Sequence, residues 1–440
     1  MSEIKELSLK YNLHSWSAQK KINPLVVTKA EGIYFWDEDG NKYYDMSAQL
    51  VNANLGHGNK ALIQAIKDQA DKMAFIAPSY ALDVRSEAAK AIVDLSGLDG
   101  GKVFFTNAGA EANENAIKMA KAYTGKWKFF SMYKSYHGSS AGAGSLTGDP
   151  RRFINEPGIP GVVKFDGPYA YRAPKACKFN SEEEISAFYL ELLENQIQYE
   201  GPQLIAAIFL ETIVGSNGIL VPPKGYLEGV RALCDKYDIL MVCDEVMAGW
   251  YRTGAPFAYQ QFNVTPDLVT FAKGSTCGYV PLGGVIATKK IADHFDENKM
   301  FLGLTYSAHP LGCAAVMAAI DEYNRLNMGE HVKKVGKHLI ASLEALAKKH
   351  PCVGEVRGIG LFTGVELVKD AAGTPLMPYG KDPEGFAGKI LGLLKAEGFM
   401  TYMTENVIIV APPLIITEEE VNDAMKMLDK VLTAVDGMIK

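Results

Sequence analysis

Leu204-Ile-Ala-Ala-Ile-Phe-Leu210, Ile239-Leu-Met-Val-Cys243 and Leu268-Val-Thr-Phe-Ala272 are three short apolar runs, closed in turn by Glu211, Asp244 and Lys273. Runs of this length and uniformity are the pattern of parallel strands covered on both faces. They predict an α/β fold with a mostly parallel central sheet and helices on either side. Ligands of such sheets bind beyond the carboxyl ends of the strands. Glu211, Asp244 and Lys273 are therefore expected to open into one crevice.

Outward from this core, strand-like and helical runs alternate from about Asp83 to Ile320, as α/β domains do. Gly142 to Phe179, rich in Gly, Pro and Arg, reads as a long loop. Upstream, Gly32-Ile-Tyr-Phe-Trp36 and Lys42-Tyr-Tyr44 flank Asp37-Glu-Asp-Gly-Asn41 and predict a hairpin. Asn59 to Met73 has helical spacing. After Tyr323 the pattern becomes helix (Glu330–Lys349), strand (Val353–Leu367), helix (Pro383–Glu397) and strand (Val407–Val410). A last helix carries Val421, Met425, Leu428, Leu432 and Val435. Three regions are expected: an N-terminal segment, 1–55, packing on a small α+β domain, 324–440, with a large domain, 56–323, between them.

At 440 residues and 48% hydrophobic, the chain can bury a large core. Its 45 basic and 51 acidic residues give a net charge of −6 without a basic block, which leaves nucleic-acid binding without support. The six cysteines show no CxxC spacing and no clustering with histidine, which suggests a reducing cytoplasm and no structural metal. Met1 to Lys10 has no signal-peptide core, and no apolar run nears the ~18 residues of a membrane helix. A soluble, cytoplasmic protein is expected.

A carboxylate and an amine at neighbouring strand ends suit a structural salt bridge. They also suit pyridoxal phosphate (PLP), with the lysine as Schiff-base partner and the aspartate keeping the pyridine nitrogen protonated, so that the ring accepts electrons. The flanks bear on the choice. Val103-Phe-Phe105, then Thr106-Asn-Ala-Gly-Ala110, then a helical pattern from Glu111, is a strand, a small-residue turn and a helix start. That arrangement offers free N–H groups to a phosphate. Tyr136, after the strand-like run Trp127 to Met132, is an aromatic that could stack on a flat ring. The first strand-turn-helix lacks G-x-G-x-x-G, which argues against a nicotinamide oxidoreductase.

Asp244-Glu-Val-Met-Ala-Gly-Trp-Tyr-Arg-Thr-Gly254, with Lys273 following Asp244 by 29 positions, resembles the signature of class III, PLP-dependent aminotransferases. Phe105-Thr-Asn-Ala-Gly-Ala-Glu-Ala-Asn-Glu114, Tyr136-His-Gly138, Thr305-Tyr-Ser-Ala-His-Pro310 and Arg357-Gly-Ile-Gly360 match further blocks in family order. The resemblance implies PLP fold type I and ping-pong transamination. It implies Lys273 as the Schiff-base lysine and proton shuttle, and Asp244 against the pyridinium nitrogen. Val246 and Tyr136 would flank the ring, with His137 among the cofactor contacts and Glu211 orienting the ring or a nearby arginine. Gly109 and Ala110 would hold the phosphate, and Thr305 would reach it from a partner subunit, so a homodimer or a tetramer built from it is implied.

The chain departs from the pattern at Ala110, where serine is common, and at Met247, where many relatives have glutamine. It has no arginine at Tyr402 or Ile409, where relatives often clamp a substrate carboxylate. Arg151 and Arg152 are the candidates to read an acid group instead, with Trp16 and Tyr402 walling the pocket. The stretch from Glu211 to Pro310 looks closest to taurine transaminases. The expected reaction moves the amine of an ω-amino acid, taurine first, to 2-oxoglutarate or, next, pyruvate. A PLP isomerase, or a transaminase for β-alanine or 4-aminobutyrate, is the alternative.

Overall fold

A computed structural model describes residues 2–174 and 176–439. Seven strands form the central sheet: β1 (Lys102–Thr106), β2 (Lys128–Met132), β3 (Val162–Phe165), β4 (Ile205–Glu211), β5 (Leu240–Asp244), β6 (Leu268–Phe271) and β7 (Gly283–Ala287). Their order is β1-β7-β6-β5-β4-β2-β3. The run from β6 to β3 is parallel, and β7 lies antiparallel to both its neighbours.

All seven residues of β4 and all five of β5 are buried. Alternate side chains enter two separate cores. Ile208, Leu210, Met241 and Cys243 join one, while Ala207, Phe209, Leu240 and Val242 join the other. The unbroken apolar runs arise because neither face meets water.

The hairpin forms between Tyr34–Asp37 and Lys42–Asp45, extended by Val27–Glu31. Its second strand pairs in parallel with Phe399–Met400, so the N-terminal segment is joined to the C-terminal part through backbone hydrogen bonds. The helix Lys60–Met73 is capped by Asn59, whose side chain accepts from the amides of Ala61 and Leu62. The last helix, Glu418–Met438, starts with a reciprocal Thr417–Glu420 cap and buries Val421, Met425, Leu428, Leu432 and Val435.

Two expectations need correction. Gly142 to Phe179 is not all loop: it holds the helix Ala141–Leu146 and β3, the sheet's edge strand. Its short Val162–Phe165 run has too few residues to show a period. Val353–Leu367 is two antiparallel strands, Val353–Ile359 and Phe362–Leu367, which turn at Gly360 (φ +61°). Glu3–Tyr11 is helical although its charges hide the apolar spacing. Among the described residues no helix is long and apolar enough to cross a membrane, and all six cysteines are free.

Candidate active site

Glu211 and Asp244 end β4 and β5 and are register partners across the two strands. Lys273 lies two residues past the end of β6, in the left-handed backbone region (φ +47°) that a lysine rarely adopts. The three residues face one cavity of about 410 Å³, shared with Gly109, Tyr136 and Val246.

Asp244 is held by a buried network. Its Oδ2 accepts from Asn113 Nδ2 (2.7 Å) and lies 2.8 Å from His137 Nδ1, and its Oδ1 accepts from the Val246 amide (3.0 Å). Asn113 is itself oriented, donating to the His137 carbonyl (2.8 Å) and accepting from Thr270 Oγ1 of β6 (3.0 Å). The carboxylate is thus fixed before anything binds. His137 Nε2 is buried without a partner among the described residues. Asn113 and Thr270 escaped the sequence reading. The available signal was an amide on the buried face of the helix Gly109–Thr124, among Ala112, Ala116 and Ala120.

That helix begins at the cavity. Its N-cap, Ala108, is extended and offers no side-chain acceptor, so the amides of Gly109 and Ala110 are free of a side-chain cap. Asn107 is turned back, its amide and Nδ2 donating to Glu111 Oε2. A Cβ at Gly109 would stand 2.8 Å from Val246 Cγ2, so only glycine lets Val246 reach this wall. Gly138 (φ +139°) likewise makes room for Ala110, whose Cβ would lie 2.6 Å from an added methyl. The uncapped N-terminus suits a phosphate dianion.

Glu211 is tied by both oxygens, Oε1 accepting from the Tyr136 amide and Oε2 from the Gly215 amide, each at 2.8 Å. Burial pushes its carboxyl up to about 7; His137 opposes the shift and the charge of Asp244 adds to it. Desolvation holds the Lys273 ammonium below the usual lysine range, against Asp244 and Glu211 and with help from Arg151. The amine is thereby moved toward its neutral form.

The remaining predicted residues divide. Arg151 lies over the Tyr136 ring, Cζ 3.8 Å from its centroid, and 5.4 Å from that of Trp16. Trp16, 64% exposed, meets Tyr136 edge-on at 6.0 Å. Tyr402 packs with Met247 on a small apolar cluster, and burial pushes its phenol well above the usual range, with Arg151 the largest opposing influence. Arg152 is placed elsewhere. It pairs with Glu156 (2.9 Å), stacks near Phe153 and lines a separate cavity of about 290 Å³ with Lys164. Thr305 is exposed and outside its own chain's cavity.

Residues 16–432 match the family model for class-III aminotransferases. The fold superposes on the taurine:2-oxoglutarate aminotransferase of Bifidobacterium kashiwanohense, in complex with PLP and glutamate, with a TM-score of 0.96. The two are 48% identical over 100% of this chain and 98% of the other. The taurine–pyruvate aminotransferase of Bilophila wadsworthia is 33% identical, covering 99% of this chain and 98% of its own. A probable gamma-aminobutyrate transaminase 4 of Oryza sativa subsp. japonica is 34% identical, covering 94% of this chain and 88% of its own.

The cavity residues fit PLP. An uncapped helix N-terminus is available for the phosphate, an anchored aspartate for the pyridine nitrogen, Val246 and Tyr136 for the ring, and a desolvated lysine for the aldehyde. With the family model spanning nearly its whole length, this chain belongs to the class-III aminotransferases, PLP-dependent enzymes of fold type I.

Proposed function

We propose that the chain is a transaminase that takes the amine of taurine and delivers it to 2-oxoglutarate, working in the cytoplasm as a homodimer. The observation that carries this reading is the 48% identity, over the full chain, to a taurine:2-oxoglutarate aminotransferase. Support comes from the wall of the cavity. With Tyr402 and Ile409 where relatives often have arginine, Arg151 is the cation beside Tyr136 that can meet a sulfonate or carboxylate. The dimer reading rests on Thr305, exposed next to Tyr306 (57%) and four residues from Phe301 (82%), as a segment that completes a partner's site would be.

PLP, when bound, supplies an aldehyde that captures the amine and a ring that accepts the electron pair released on carbon. Lys273 Nζ, held toward its neutral form, would take the proton from the donor carbon and would return it to the carbon on the other side of the nitrogen. Asp244, held in place by Asn113 and His137, would favour a positive charge on the ring nitrogen. Tyr136 and Val246 would flank the ring, and Glu211 fixes Tyr136 through its amide. Taurine leaves as sulfoacetaldehyde, and in the second half-reaction 2-oxoglutarate leaves as glutamate. Arg151 has to release one acid before it binds the next.

The test is a matrix of taurine, hypotaurine, β-alanine and 4-aminobutyrate against 2-oxoglutarate and pyruvate, followed as amino-acid product. Taurine with 2-oxoglutarate is expected to give the highest kcat/KM. The 34% identity to a gamma-aminobutyrate transaminase favours one alternative, 4-aminobutyrate as donor. A tenfold preference for it would replace the taurine assignment. Turnover of donor without an oxo acid would identify an isomerase instead.

A further inference from the structure

Arg151 is not a free side chain. Nε lies 3.0 Å from both oxygens of Asp149, Nη2 donates to Asp149 Oδ2, and Nη2 also donates to Ser216 Oγ at 3.0 Å. Asp149 is 5% exposed. It further accepts from the Arg151 amide (2.9 Å) and from Asn217 Nδ2 (3.0 Å). Of the five N–H groups of the guanidinium, the one on Nε and both on Nη2 are therefore committed. Among the described residues Nη1 has no hydrogen-bond partner. The plane is fixed as well, since the guanidinium lies on Tyr136 and beside Trp16.

On the transaminase reading above, we propose that Asp149 is a positioning residue that presents Nη1 of Arg151, end-on, to the acid group of the substrate and so sets the preference for acidic donors. The side-on fork formed by Nε and Nη2, the edge an arginine commonly offers to a carboxylate, is occupied by Asp149. The two N–H groups of Nη1 diverge from one nitrogen and suit two oxygens of a sulfonate or carboxylate approaching along the guanidinium axis. A side chain ordered in advance gives up less conformational freedom when the acid arrives. Asp149 also neutralises Arg151 in the resting site. Ser216 and Asn217 belong to the loop after Glu211, so the loop carrying the ring-side glutamate also sets the acid reader.

The test uses the PLP-loaded enzyme with Asp149→Asn, Ser216→Ala and, as reference, Arg151→Ala. Taurine and propylamine, a donor of similar size without an acid, are the probes. Asp149→Asn is expected to raise KM for taurine at least tenfold, with a much smaller fall in kcat and an unchanged visible cofactor band. The loss of kcat/KM is expected to be far smaller for propylamine. Ser216→Ala is expected to raise KM for taurine a fewfold in the same pattern. Equal losses with both donors, or a loss confined to kcat, overturn the proposal. If Asp149→Asn does not fold, an unchanged KM in Ser216→Ala overturns it. If Arg151→Ala raises KM for taurine and Asp149→Asn does not, the positioning role alone falls. If Arg151→Ala leaves KM unchanged, the acid-reading assignment falls with it.

Discussion

Lys273 and Glu211 show how burial sets chemistry at a single residue. The lysine has two carboxylates near it that would keep it protonated, yet desolvation is the larger effect and its ammonium is destabilised. Lys273→Ala should reduce turnover by roughly 10²–10⁴-fold or more, the range for a removed acid–base group, with a near-native circular dichroism spectrum. Turnover within tenfold of the wild type would remove the lysine from the chemistry. Glu211 has its carboxyl raised from 4.5 to about 7, so between those values the folded chain holds a proton that the unfolded chain releases. Its contribution to stability is therefore largest below about 4.5 and declines as pH rises, the loss being complete above about 7. The full change is about 3 kcal/mol at 1.36 kcal/mol per pKa unit. In protein stripped of cofactor, Glu211→Gln should flatten the dependence of the urea midpoint on pH between 5 and 8. A slope equal to the wild type would contradict this.

Strand ends, helix starts and connecting loops were legible to different degrees. β4, β5 and β6 stood out because burial on both faces leaves no polar position to interrupt them, and the residue that ends each run lines the cavity. The edge strand β3 did not, being four residues inside a stretch of Gly, Pro and Arg. Arg252, part of the motif after β5, is held in structural surroundings. It is fully buried, with Nη1 donating to the carbonyls of Leu361 (3.1 Å) and Pro412 (2.5 Å) and Nη2 to Asn54 Oδ1 (2.7 Å). One side chain thus ties the segment after β5 to three distant loops. Arg252→Met should leave three buried acceptors without donors, at about 1–3 kcal/mol each, offset in part by the buried charge removed. A lower urea midpoint at constant slope is expected, and an unchanged midpoint would show that the loops hold without it.

At the scale of the whole molecule, Thr305 and its exposed aromatic neighbours are where a second chain is expected. Light scattering on a sizing column should give twice the chain mass, and Thr305→Ala should weaken PLP retention without changing that mass. A monomer with full activity would contradict both the assembly and the role of Thr305. The sequence by itself determined the parallel sheet, the crevice at its carboxyl edge and the presence of Lys273 and Asp244 on that crevice, because burial and strand direction are written in local runs and spacing. Only the tertiary structure decided which arginine stacks on Tyr136, a residue of the cavity wall. Arg151 and Arg152 are adjacent and chemically alike in the sequence, and they part because Ser216, 65 positions away along the chain, joins Asp149 and Tyr136 around one of them while Glu156 holds the other. Hydrogen-bond partners such as Ser216, brought up by folding, leave no local pattern, and so the two arginines could not be told apart before the fold was known.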